Sequence, residues 1–480
     1  MTCETDRVTT SQRWRPLWMA HLALAPLLVL IIVIVPLRAL AQARPAAERI
    51  SALGEPFATR HARFEPAPFA SLPGWNTDAL RESLLALRQS CAALGKKSVW
   101  NELCGHVPGL VRAGNAEIRR FFEQHFYAYS VQNPDRSQEG IITGYYEPML
   151  NGSLHRSERY RYPVYRVPAD LFLLDARAAA RGKRIWLRIE GRYLRPASAG
   201  EPGAREYDID LDGVKSGIRD KRYRVRIADR QILPYWSRQE IERRELDAEV
   251  IAWVERADQL YSMQIQGSGR IRLVDGKVLR VGYGEQNGHP FLPGESTQPA
   301  GESAVLDVST MIAILNGERP APSAKAVAQP VVASTGITDP SYVFFRQTSD
   351  GPHGPLGALG VPLTAGRSIA VDPRTTPLGY PVFVSAPEAA TSHVGLNRLM
   401  FAQDTGGAIR GAVRADYFWG FGAQAREHAA QMKTVGRMWL FMPRGLQTAA
   451  MTASTRLRSI GGMQALADCV VPDPENCVEE

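Results

Sequence analysis

A chain of 480 residues, 45% of them apolar, is long enough for two or three domains and too apolar to be a disordered polymer. Its net charge of +8 calls for an acidic partner, and nucleic acid, anionic lipid or a carboxylate-bearing polymer would each qualify. Charge alone does not choose among them.

Residues 1–41 read as a targeting segment, because Arg7, Arg13 and Arg15 precede an apolar run over 22–37 and Ala39-Leu40-Ala41 offers a small-residue cleavage site. The run is short for a spanning helix and contains Pro26 and Pro36, which favours a cleaved export signal over an uncleaved anchor. Export leaves Cys91, Cys104, Cys469 and Cys477 in an oxidising compartment, an even number suited to two disulfides. Proximity pairs Cys91 with Cys104 and Cys469 with Cys477. Cys91 also falls on the helical stripe Leu80, Leu84, Leu87, Leu94 and reads equally well as a free core thiol. No cysteine pair has the spacing of a zinc knuckle, and no metal or cofactor is called for.

Residues 42–75, rich in Ala, Pro and Arg, read as a linker. Asn76 or Thr77 can cap a helix running to about Leu94, with Gly95 as its stop, and Asn115 can cap a second carrying Ile118, Phe121, Phe122 and His125. The run 143–148, TGYYEP, ends a strand at Pro148, and its Tyr145, Tyr146 and Glu147 either line a cleft or form an aromatic strand end with a solvated glutamate.

From about 163 to 350 the composition favours short strands. Residues 221–227 alternate, with Tyr223, Val225 and Ile227 on one face and Arg222, Arg224 and Arg226 on the other, a face either solvated or turned to a ligand's carboxylates. Residues 271–283 read as a hairpin turning at Asp275-Gly276. Gly267-Ser268-Gly269 sits between strands, where glycines allow close backbone approach. It fits neither a dinucleotide fingerprint nor a nucleophile elbow. The Pro- and Ala-rich stretch 320–333 reads as an insertion loop.

Asp372, followed by Pro373, Thr375, Thr376 and Pro377, reads by itself as a turn aspartate. Residues 399–402 form a short buried strand ending near Asp404, after which Gly406, Gly407 and Gly411 turn the chain sharply. Asp416 follows Arg414 and precedes Tyr417, Phe418 and Trp419, so an apolar wall would raise its carboxyl pKa while a cation opposes the rise. A carboxylic acid that keeps its proton is what glycosidic cleavage needs, since the leaving oxygen must be protonated as the bond breaks.

At these residues the chain resembles the membrane-bound lytic murein transglycosylase A family with its three-aspartate domain. The resemblance is carried by LMFAQDTGGAIRGAVRADYFWGF (399–421), VDPRTTPLG (371–379), TGYYEP, QIQGSGRIRL (264–273), GYGEQNGHPF (282–291) and PSYVFFR (340–346), within 75–445. It implies a mainly β fold with flanking helices: a double-psi β-barrel built from 76–164 and 351–445, a smaller β-barrel domain inserted at 165–350, and a tail at 446–480. It also implies Asp372, Asp404 and Asp416 as the three aspartates, with Tyr145, Tyr146, Glu147, Gln264, Gln266, Gly267, Ser268, Gly269 and Asn287 toward the glycan.

The expected partner is then the peptidoglycan glycan strand in the periplasm, with a wall-remodelling complex and membrane association through the N-terminal segment as further expectations, and no nucleic acid. A lytic transglycosylase needs one acid/base group, assigned to Asp416, because the C6 hydroxyl of N-acetylmuramic acid replaces water as nucleophile. Two other readings stand beside it: a hydrolase using Asp404 and Asp416 in separate roles, and a noncatalytic wall-binding module. An aspartic protease would need a second Asp-Thr-Gly or Asp-Ser-Gly in the chain or a dimer, and none occurs in the chain.

Overall fold

Short, β-branched and aromatic runs separated by turn residues pleat into strands, and strands outnumber helices among the described residues. The computed structural model describes residues 54–216, 220–244, 246, 248–292, 335–349, 351, 353–387, 395–460 and 466–478. The expected targeting segment and the insertion loop at 320–333 lie outside them. Among the described residues no helix is long and apolar enough to cross a membrane.

The strands in chain order are β1 (Phe57–Ala58), β2 (Arg63–Ala67), β3 (Phe126–Gln132) and β4 (Gly140–Glu147), then β5 (Met149–Ser153) and β6 (Tyr162–Tyr165). Next come β7 (Phe172–Asp175), β8 (Arg184–Glu190), β9 (Tyr193–Pro196), β10 (Ala204–Ile209), β11 (Arg222–Ala228) and β12 (Gln231–Pro234). They are followed by β13 (Val250–Val254), β14 (Ser268–Leu273), β15 (Val278–Gln286) and β16 (Val343–Thr348). The chain closes with β17 (Ser368–Val371), β18 (Pro381–Ala386), β19 (Leu396–Asp404), β20 (Ala415–Phe421) and β21 (Lys433–Pro443).

Nine strands form one sheet in the order β1-β2-β3-β21-β18-β19-β17-β20-β4. β21 is long enough to serve two neighbours: Lys433–Gly436 pairs with β4, while Trp439–Pro443 pairs with β3. The β4–β21 pairing closes β21, β18, β19, β17, β20 and β4 into a six-strand ring. β17 and β18 are buried at every position, so SIAV and PVFVSA read as continuous apolar runs instead of alternating ones. Trp75, Phe122, Phe383 and Phe441 meet edge to face in the main core, each ring's burial contributing roughly 2–3 kcal/mol.

A helical layer covers this sheet. Leu84–Leu94 and Ser98–His106 are joined by the Cys91–Cys104 disulfide, with Cα atoms 5.5 Å apart. The first helix begins as a 3-10 turn at Leu80–Ser83, later than its sequence suggests, because Asp78 is used elsewhere. Its carboxylate takes both amino groups of Arg367 at 2.9 and 3.0 Å and the Leu399 N–H at 2.7 Å, tying the helices to β19. In the Asn115–His125 helix, Ile118, Phe121 and Phe122 face the core as their spacing predicts. Asn115 does not cap it, since its Oδ1 accepts from the Arg81 N–H.

Residues 54–75, expected as linker, belong to the sheet from Phe57 onward: β1 pairs with β2 and β2 with β3. The Ala- and Pro-rich composition obscured Phe57, Phe64 and Trp75, all buried. At the other end, Val470 is buried in the same core, and Cys469 and Cys477 form the second disulfide.

Between β4 and β17 the chain builds two further units. One is a sheet ordered β16-β15-β14-β5-β13-β6, and the other a closed barrel ordered β10-β12-β11-β7-β9-β8. The 271–283 hairpin is β14–β15, with Gly276 at φ +86° where a side chain would be strained. On β11, Arg224 is neither solvated nor turned to a ligand. It is buried between Asp220 at 2.8 Å and Glu285 at 3.1 Å, linking the closed barrel to β15. Residues Ala257–Gln266 form a helix where strands are expected, and Gly267 at φ +75° ends it.

Candidate active site

The register of five neighbouring strands places a row of side chains across the ring. Ala370 on β17 is paired with Asp404 on β19 at one side and with Asp416 on β20 at the other. Asp416 is paired in turn with Thr143 on β4, and Thr143 with Lys433 on β21. Directly paired residues project to the same face of a sheet, so Asp404 and Asp416 share a face with a small side chain between them. Tyr145 and Phe418, two residues on from Thr143 and Asp416, share it too. With Leu363, Ala370 and Ile409 they form a small apolar cluster apart from the main core.

This row converts strand positions into electrostatics. Asp416 is half-buried, and removal from water pushes its carboxyl above the usual carboxylate value. Arg414 and the Thr143 hydroxyl pull the other way, and the charge of Asp404 adds to the rise. The Thr143 hydroxyl donates to Asp416 Oδ1 at 2.6 Å and accepts from Arg414 Nη2 at 3.0 Å. Asp404 accepts from the Tyr145 hydroxyl at 3.0 Å and from the Ala358 N–H at 3.0 Å. Burial and the two aspartates keep Tyr145 protonated far above neutrality.

Asp372 lies in a different setting, two residues past Ala370. Burial would raise its pKa, but Arg374 at 2.7 Å and the Gly411 N–H at 3.0 Å outweigh burial and hold it below the usual value. Its backbone carbonyl accepts from the N–H groups of Thr375 and Thr376, closing the turn that the sequence suggests. Its carboxylate therefore staples the 372–376 turn to the glycine-rich loop after Asp404.

The other candidates divide by burial. Glu147, which the sequence reads as cleft-lining or solvated, is neither: it is 1% exposed and takes Arg270 Nε at 2.8 Å and Arg280 Nη2 at 3.3 Å, where β4 gives way to β5. Tyr146 donates its N–H to Gln266 Oε1 at 3.0 Å, bringing the two motifs together. Gly267 has open space around its missing Cβ, whereas a Cβ on Gly269 would come within 2.4 Å of Met263 Sδ. That glycine accommodates the protein's own methionine, not a ligand. Ser268 and Gln264 are buried, and Asn287 is 1% exposed with its amide donating to the Trp236 and Pro340 carbonyls. Asn287 holds the 340–342 segment, since it also accepts from the Tyr342 N–H.

Two further residues among these contacts escape a reading of the sequence. Thr143 is marked only by its position two residues before Tyr145 in an alternating strand. Phe421 closes the aromatic run after Asp416; it is 55% exposed, with the Arg270 guanidinium 3.7 Å from its ring centre.

Residues 367–442 match the 3D domain, and residues 141–201 and 205–346 match the MltA specific insert domain. Membrane-bound lytic murein transglycosylase A of Escherichia coli (strain K12) is 25% identical over 337 residues, 69% of this chain and 73% of that protein. The crystal structure of MltA from Neisseria gonorrhoeae superposes with a TM-score of 0.62 at 30% identity, covering 82% of this chain and 94% of that one. The membrane-bound lytic murein transglycosylase of Agrobacterium tumefaciens, at 24% identity and a TM-score of 0.55, covers 79% of this chain and 98% of its own, and supports the fold. A mainly β protein with a six-strand ring and an inserted closed barrel, this chain belongs to the membrane-bound lytic murein transglycosylase A family.

Proposed function

We propose that this chain cleaves the β-1,4 bond between N-acetylmuramic acid and N-acetylglucosamine in peptidoglycan, leaving 1,6-anhydromuramic acid ends, with Asp416 as the acid/base. The protonated Asp416 gives its hydrogen to the oxygen leaving C1. The resulting carboxylate takes the C6 hydroxyl proton as that oxygen closes on C1, so no water is consumed and the enzyme regains its proton. Holding the C6 hydroxyl over C1 makes ring closure intramolecular, where orientation contributes roughly 7–11 kcal/mol at most. The observation that carries the reading is the raised Asp416 carboxyl on the same face as Asp404, in a chain of this family.

Asp404 would support Asp416 as a nearby negative charge that keeps its proton on. Asp372 would act only through the loop it staples. The glycan would lie along the face presenting Tyr145, Asp404 and Asp416, near the junction of Glu147 with Arg270 and Arg280.

Mass spectrometry of digested purified peptidoglycan tests the reading: anhydro ends support it. Two-carboxylate hydrolysis is the second reading, since Asp404 and Asp416 flank one strand, with backbones roughly 10 Å apart by sheet spacing. Reducing ends in the products would establish it, and binding without release would leave a wall-binding module. An envelope location follows from the membrane-bound relatives. Periplasmic export, attachment through residues 1–41 and membership of a wall-remodelling complex are finer expectations. Fractionation of cells with and without that segment checks the first two, and copurification the third.

A further inference from the structure

We propose that Thr143, pinned by Arg414, is a positioning residue that fixes which oxygen of Asp416 carries the transferable proton, an assignment that rests on Asp416 being the acid. A guanidinium has only donors, so the 3.0 Å contact from Arg414 Nη2 makes the Thr143 Oγ1 an acceptor. The hydroxyl has one hydrogen, and the 2.6 Å contact sends it to Asp416 Oδ1. In a neutral carboxylic acid the carbonyl oxygen is the better acceptor, so Oδ1 is the carbonyl oxygen and Oδ2 bears the proton. Oδ2 is then the oxygen that meets the glycosidic bond, and the acid needs no rotation between its donor and acceptor roles.

Arg414 is itself held by the carbonyls of Ile141 at 3.2 Å and Ala415 at 2.6 Å, one on each of the strands that carry Thr143 and Asp416. The relay is thus anchored to backbone and does not depend on mobile side chains. The same relay stabilises the carboxylate after proton transfer, since a hydrogen bond to the charged form favours it. The other groups facing Asp416 are Asp404 from β19, Tyr145 on β4 and Lys433 on β21, the last lowered by burial and by Arg414.

The test is the pH–rate profile for anhydromuropeptide release by the full chain, with Thr143→Val, Thr143→Ser and Asp416→Asn beside the parent. Thr143→Val keeps the shape and β propensity of the site while deleting the hydroxyl. It is expected to lower kcat roughly tenfold at unchanged KM and to move the alkaline limb up by about one pH unit, because the carboxylate loses a donor. Thr143→Ser is expected to restore both. An unmoved limb in Thr143→Val, or a loss that serine does not restore, overturns the assignment. If the valine variant does not fold, Arg414→Gln moves the limb in the same direction, and an unshifted limb there overturns it equally. Parent-like turnover in Asp416→Asn would instead remove Asp416 as the acid and leave Thr143 without this role.

Discussion

Asp372 directly follows β17 and Asp416 lies on its neighbour β20, yet their surroundings shift the two carboxyls in opposite directions. Asp372 is surrounded by donors: the Arg374 guanidinium contacts both oxygens and the backbone N–H groups of Arg374 and Gly411 add two more hydrogen bonds, so its pKa falls. Asp416 has one direct hydroxyl donor, with its cation kept one group away behind Thr143, so burial wins and its pKa rises. On the proposed mechanism the same residue type serves structure where cations touch it and proton transfer where they are held back. Position in the family's pattern does not separate the two carboxyls; the count and charge of their donors does.

Substituting each aspartate should separate activity from stability. Asp416→Asn is expected to reduce anhydromuropeptide release about a thousandfold, the scale of losing a general acid. Its melting temperature is expected to hold or rise, because a buried carboxyl with a raised pKa disfavours folding at neutral pH. Release assays and thermal melts on the same preparation check both halves, and a variant that loses activity only by unfolding would collapse the contrast.

Asp372→Asn should do the reverse. Leaving Arg374 unpaired and weakening the staple to Gly411 is expected to cost about 2 kcal/mol of stability, with turnover per folded molecule largely kept. Because its folded pKa is depressed, Asp372 stabilises the protein above its unfolded pKa, and this contribution fades as pH falls through the folded pKa. Denaturant melts of parent and variant should thus differ at neutral pH and converge in acid.

The smallest effect is expected from Asp404→Asn, about a tenfold loss of turnover, near 1.4 kcal/mol. Removing a like charge lowers the Asp416 pKa, so the alkaline limb of the pH–rate profile moves down, opposite to the Thr143→Val shift. A loss equal to that of Asp416→Asn would favour two carboxylates sharing the chemistry.

Local signals in the sequence were enough for the β14–β15 turn, the apolar face of the Asn115–His125 helix and the strand leading into Asp404, because each is decided within a few residues. Arg224 and Glu147 defeat a local reading for the opposite reason: beside the nearby Asp220, Arg224 pairs with Glu285 61 residues away, and Glu147 pairs with Arg270 and Arg280 at 123 and 133. An alternating strand predicts a solvated face only where nothing packs against it. Helix 257–266 was missed because tertiary packing of Leu260 and Met263 outweighs the weak pattern in its sequence. At the site, Asp404 and Asp416 were legible as carboxylates beside a glycine turn and an aromatic run. Thr143 was not, since its role exists only once β4 is laid beside β20, 273 residues along the chain.

Burial raises the Asp416 carboxyl pKa, whereas Arg374 and the Gly411 N–H lower that of Asp372. Carboxyl carbon NMR titration of the folded chain, with the two signals assigned through Asp416→Asn and Asp372→Asn, reads both shifts directly. Asp416 is expected to titrate above the usual carboxylate range and Asp372 below it; an Asp416 signal that titrates at or below that of Asp372 would contradict the account.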